Sequence, residues 1–181
     1  PDSVTSIGDS AFSYCYGLTA VSIPGSVTSI GDSVFYRCSG LVSAEFQSGT
    51  ASIGKRLFYN CTNLATIVIP DTVTSIGPEV FSNLPKLDNV TIPNSVKTIG
   101  AKAFSGCTGL SSITIPSNIT TIGNAAFSGC TSLSNLVIEN GVTYIGDESI
   151  GYGGAFADCT SLTSVFIPYS VIRMNTNTFD G

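Results

Sequence analysis

Ser52-Ile53-Gly54-Lys55 has the S-x-x-K spacing by which serine acyl enzymes set a lysine beside a nucleophilic hydroxyl. That chemistry also needs partner motifs and an oxyanion pocket, and the chain has no histidine to serve as the commonest general base. Ser52 and Lys55 stand at ordinary polar positions, equivalent to Ser29 and Asp32 earlier in the chain. The acidic residues are dispersed and form no paired-carboxylate motif. The glycines of IGYGGAF (150–156) resemble a phosphate loop superficially, but neither a Lys-Ser/Thr pair nor G-x-G-x-x-G order is present. The expectation is a protein that is not an enzyme, with no catalytic residue and no cofactor.

Six cysteines could staple the chain or ligate a metal. Cys15, Cys38, Cys61, Cys107 and Cys130 fall in one column of period 23, in which Leu84 takes the remaining place, and Cys159 follows in register. Cβ atoms on neighbouring parallel rungs lie near the rung spacing of about 4.7–4.9 Å, beyond the ~3.8 Å of a relaxed disulfide. The spacing therefore predicts free, buried thiols acting as small hydrophobes, with a bridge or a metal as lesser alternatives. Sequons occur at Asn60-Cys61-Thr62, Asn89-Val90-Thr91 and Asn118-Ile119-Thr120, as expected by chance in a chain so rich in Thr and Ser.

Hydrophobic residues make up 43% of the 181 residues and charged residues only 10%, so there is ample apolar surface to bury and the chain is not disordered. The net charge of −5 and seven scattered Lys and Arg argue against a nucleic-acid partner. No apolar run approaches the roughly 20 residues of a membrane helix, so no membrane insertion is expected. The chain opens at Pro1 inside its periodic pattern and shows no basic-then-apolar leader, which predicts a piece cut from a longer protein.

That periodic pattern governs everything else. SVTSIGDS occurs at 3–10 and again at 26–33. Ile-Gly recurs every 23 residues from Ile7 through Ile30, Ile53, Ile76, Ile99 and Ile122 to Ile145. Phe follows five residues later, from Phe12 to Phe127, then the cysteine column, then Leu18 to Leu133, then an apolar pair such as Val21 and Ile23. The units are 1–23, 24–46, 47–69, 70–92, 93–115, 116–138, 139–167 (longer by six residues) and the partial 168–181, all in one array over 1–181. A unit offers about seven inward side chains, whose burial cannot offset the ordering of its backbone, so each turn must stack on the next.

The apolar pair in LTAVSIP (18–24) predicts a short strand with one buried face, ended by proline. SVTSIG (26–31) predicts a second extended segment. Gly31 is expected to supply a positive φ, and the appearance of Asn175 in the glycine column fits that expectation. DSAFSYC (9–15) predicts a single short helical turn.

The pattern Leu-x-x-Ile-x-Ile-Pro-x-Ser-Val-Thr-x-Ile-Gly-x-x-Ala-Phe-x-x-Cys resembles the BspA-type leucine-rich repeats, and LSSITIPSNITTIGNAAFSGC (110–130) is its best copy. The resemblance covers essentially the whole chain. It implies a leucine-rich-repeat solenoid, an α/β-class right-handed superhelix of mostly β structure and short helical turns. It further implies a parallel β-sheet on one face and about seven to eight stacked rungs. It also implies a cell-surface or secreted adhesin-like protein with a protein partner, the class being host or extracellular-matrix proteins.

Such a partner would meet the outward strand positions, among them Glu45, Val68, Thr91, Thr114, Val137 and Phe166. Tyr152 in the insertion, and Tyr14, Tyr36 and Arg37 with Tyr16 and Tyr59 on the helical-turn edge, form a second candidate set, since Tyr and Arg are enriched in interface hot spots. A structural spacer without a ligand of its own is the main alternative. Ice or surface binding through the Thr5, Thr28, Thr74, Thr120 and Thr143 column is a remote one, interrupted by Ala51 and Lys97.

Overall fold

The computed structural model describes residues 3–47, 49–50, 52–146 and 153–181. The repeat closes into a coil with three sides. A short side carries two-residue strands: β1 (Ser6–Ile7), β3 (Ser29–Ile30), β5 (Ser52–Ile53), β7 (Ser75–Ile76), β8 (Thr98–Ile99), β10 (Thr121–Ile122), β12 (Tyr144–Ile145) and β13 (Arg173–Met174). A long side carries β2 (Ala20–Ile23), β4 (Ser43–Phe46), β6 (Thr66–Val68), β9 (Ser112–Ile115) and β11 (Asn135–Ile138). All pairings are parallel, with each residue opposite its equivalent one turn on, as in Ser6↔Ser29 and Asn135↔Ser112. Tyr144 pairs with Arg173, so the longer unit rejoins the register.

Two sides therefore carry sheets where one was expected, and neither sheet is continuous. The short side divides into β1-β3-β5 and β7-β8-β10-β12-β13, and the long side into β2-β4-β6 and β9-β11. Among the described residues the short side has eight strands and the long side five, and the solenoid has about six turns, slightly fewer than the seven to eight rungs expected.

The third side corrects the expected helical turn. Residues 8–15 form successive tight turns, with i→i−3 bonds from Ala11 N to Gly8 O, Ser13 N to Ser10 O and Cys15 N to Phe12 O. Ser10 and Tyr14 have φ of 57° and 61°, which breaks any helical repetition. The intervening amides point along the solenoid instead: Ser10, Phe12 and Tyr14 N donate to Asp32, Val34 and Tyr36 O of the next turn, at 2.8–3.0 Å. The same triplet recurs turn after turn, through Ala125, Phe127 and Gly129 to Gly153, Ala155 and Ala157. This turn side is the one ladder that runs without a break across the described turns.

The inward side chains form a continuous core. Phe12, Phe35, Phe58, Phe81, Phe104, Phe127, Phe156 and Phe179 make one file of near-parallel rings, with centroids 5.1–6.1 Å apart. Rings in register satisfy both packing and the offset-stacked preference of aromatic pairs. The cysteine column lies beside them. Each thiol from Cys38 onward donates to the carbonyl of the phenylalanine one turn back, as in Cys61 Sγ to Phe35 O at 3.0 Å and Cys107 Sγ to Phe81 O at 3.1 Å.

In the glycine column Gly146 has the expected positive φ, of 78°, but Gly31 and Gly54 are present for a different reason. Neither Gly31 nor Asn175 has a positive φ. What requires glycine is close approach of successive turns: a Cβ on Gly31 would overlap the Asp9 carboxylate, and one on Gly54 the Gly31 carbonyl. The positive φ angles fall two and six residues later, at Ser33 and Arg37 for example, where the tight turns reverse the chain.

Candidate protein-binding surface

On the long side, alternation sends one residue in and the next out. Ala44, Phe46, Ile67, Ile113, Ile115 and Leu136 are buried. Glu45, Thr91 and Thr114 are exposed in the alternate positions, as are Val68 (54%), Val137 (44%) and Phe166 (65%). The expected outward column is thus brought to one face, spanning the rungs from β4 to the segment after Leu162.

Three exposed residues were not among those expected from the sequence: Tyr169 (94%) beside Phe166, and Tyr144 and Ile172 (76%) on the short side. The Phe166 and Tyr169 rings meet edge to face at 6.4 Å. The signal was available in the columns, where Tyr169 replaces Asn140 and Ser117, and Ile172 replaces Thr143 and Thr120. The Phe166 and Tyr169 pair makes the far end of the long side its most hydrophobic part, while Ile172 lies on the short side beside β13.

The second expected cluster also assembles. Tyr14 meets Tyr16 and Tyr36 edge to face at 6.2 and 5.5 Å, Tyr36 stacks on Tyr59 at 5.2 Å, and the Arg37 guanidinium carbon lies 5.4 Å from the Tyr36 ring centre. Stacking hides the faces of Tyr36 and Tyr59 against each other, so this edge offers ring rims, hydroxyls and the Arg37 cation. Tyr14 and Arg37 hold φ of 61° and 57°, at a position where other turns use Asn, Asp or Gly. Tyr152 lies outside the described residues.

The remaining candidate chemistry has structural partners. Lys55 Nζ lies 3.3 Å from Asp32 Oδ2, while Ser52 is exposed in β5. The six cysteines are free, and only Cys15 is exposed. Burial pushes the Cys61 and Cys107 thiols up to about 12 and raises Cys130 further still. Such thiols are poor nucleophiles and poor metal ligands. Among the described residues no cluster of three His, Cys, Asp or Glu is placed to hold a metal. Thr28, Thr120 and Thr143 hydroxyls donate to Thr5, Lys97 and Thr120 carbonyls of the preceding turn, so they serve the stack first. No helix among the described residues is long and apolar enough to cross a membrane.

A stacked coil with phenylalanine, cysteine and leucine files is the architecture of a leucine-rich-repeat solenoid. The chain belongs to the family described as BspA type leucine rich repeat region, whose model matches residues 1–87 and 74–181 in six copies. A leucine-rich repeat protein from T. pallidum is 34% identical with a TM-score of 0.79, over 88% of this chain and 72% of that one. One from Bacteroides ovatus is 32% identical with a TM-score of 0.77, over 84% of this chain but only 40% of its own length. A third, from Eubacterium ventriosum, is 23% identical with a TM-score of 0.52 and shares the fold. No curated protein matches the chain.

Proposed function

We propose that the chain is a non-catalytic protein-binding repeat module of a cell-surface or secreted adhesin-like protein. The observation that carries this reading is the long side. It presents an almost uncharged column in which Val68, Val137 and Phe166 are exposed, joined by Tyr169 at one end. Exposed apolar residues grouped on one face are the mark of a protein interface, and aromatic residues dominate the energetics of such surfaces. The Tyr14, Tyr36 and Arg37 edge gives a second contact region on the turn side. Membership of the BspA-type family supports the surface or secreted location. Host and extracellular-matrix proteins are the partner class, with no nucleic acid and no cofactor.

The test is capture of purified matrix and host serum proteins on immobilised protein, compared with the Val137→Ala/Phe166→Ala double variant. Both residues are exposed, so the fold is retained, and a saturable signal is expected to weaken at least tenfold in the variant. Binding that is absent for every ligand, or equal in both proteins, would favour a spacer that only holds other parts of the molecule apart.

A further inference from the structure

The solenoid contains one internal junction where both sheets part. On the short side β5 and β7 are not paired. The bond that Gly54 N makes to Ile30 O at 2.9 Å, and Gly100 N to Ile76 O at 2.8 Å, has no counterpart from Gly77 to Ile53. A Cβ on Gly100 would sit 2.7 Å from the Gly77 carbonyl carbon, whereas one on Gly77 would be an ordinary 3.6 Å from Ile53 O. In the core, Phe58 and Phe81 have the widest spacing of the file at 6.1 Å. Leu84 stands where a cysteine would donate to the Phe58 carbonyl. The turn side still holds, through Arg56, Phe58 and Asn60 N to Pro78, Val80 and Ser82 O and through the Arg56–Glu79 ion pair at 2.9 Å.

On the long side this junction opens as a slot of about 410 Å³ between β6 and residues 89–92. Residues 89–92 make no backbone hydrogen bond to either neighbouring turn among the described residues, and β6 pairs only with β4. The slot is thus bounded by the unpaired edge of β6 and by a backbone segment, residues 89–92, whose amides and carbonyls have no backbone partner in the neighbouring turns. Unpaired edges are templates for strand addition. Asp71 and Asp88 line the slot, and no Lys or Arg does.

We propose that this slot takes an extended, cationic segment of a partner protein, added as a strand between β6 and residues 89–92. Its backbone would bond to the two free edges, its Lys or Arg side chains would pair with Asp71 and Asp88, and the slot would widen about the turn side as the Thr72 Oγ1 to Thr50 O hydrogen bond gives way. The proposal rests on the protein-binding reading of the long side and specifies how one partner segment is held.

The experiment uses the full chain and a capped peptide alternating Lys and Thr with Val. Its controls are a Glu-for-Lys version and a version N-methylated at alternate residues. Hydrogen exchange of the free protein should show the Ile67 amide and those of 89–92 exchanging at least tenfold faster than those of β4, which pairs on both sides. The Lys peptide should bind saturably, protect those amides and lose at least tenfold in affinity in either control and in the Asp71→Asn/Asp88→Asn variant. Slot amides as protected as those of β4 in the free protein, no saturable binding up to millimolar peptide, or protection elsewhere would each overturn the proposal. The Val137→Ala/Phe166→Ala variant separates the two ideas. It should bind the peptide normally while losing capture of whole partners, so failure of one assay leaves the other readable.

Discussion

At the residue scale, the cysteines act as hydrophobes that also donate a weak hydrogen bond. Desolvation favours the neutral thiol, so each buried Cys keeps its proton and gives it to a phenylalanine carbonyl. Cys61 and Cys107, ordinarily near 9.0, are raised to about 12. A group whose folded value lies above its unfolded value binds more protons folded than unfolded between the two, so stability is full below pH 9 and falls as pH rises from about 9 towards 12. Thermal melts should show that decline, steeper than in a Cys61→Ala/Cys107→Ala variant. Alkylation of the native protein at pH 8 should modify the exposed Cys15 rapidly and the other five thiols only after denaturation. Rapid modification of all six would contradict the buried file.

At the element scale, the glycine column separates two kinds of junction. Gly100 is held against the Gly77 peptide, whereas Gly77 faces ordinary van der Waals space. Gly100→Ala should cost about 1–3 kcal/mol, because successive backbones must move apart. Gly77→Ala should be neutral, or stabilising by about 0.4–1 kcal/mol, because its φ is not positive and only the unfolded chain loses freedom. Denaturant midpoints of the two variants check this, and equal losses would mean that the junction is as tight as the others. The tight turns teach a related point. Phe12 and Cys15 lie three apart on one side of the chain, a spacing that a helical turn and a spiral of β-turns both provide. The choice went to β-turns because their alternate amides can bond to the next rung, which a helix would keep for itself.

At the scale of the whole molecule, a solenoid is stabilised by nearest-neighbour interfaces, and its weakest interface sets where it opens. Between β5 and β7 the strand ladder is interrupted, and the turn side, the Thr72 Oγ1 to Thr50 O hydrogen bond at 2.6 Å and the Phe58–Phe81 contact join the two parts. Native-state hydrogen exchange should therefore give the turns before and after this junction different opening free energies, with β2 and β4 grouped apart from β9 to β12. A single value for all of them would mean that the parts unfold as one unit.

The period, the inward columns and hence the stacked coil and its family were legible in the sequence, because each turn repeats the same local problem and writes it in the same letters. The outward column from Glu45 to Phe166 followed directly from strand alternation. The distance between one turn and the next was not legible. It is a sum over three sides of the coil, so Leu84 in the cysteine column looks like a harmless substitution until Gly77, Phe81 and residues 89–92 are all seen to stand away from the preceding turn. The reason for Gly54, Gly100 and Gly123 was hidden for the same cause: they make room for the backbone of the preceding turn, which only the tertiary structure brings against them.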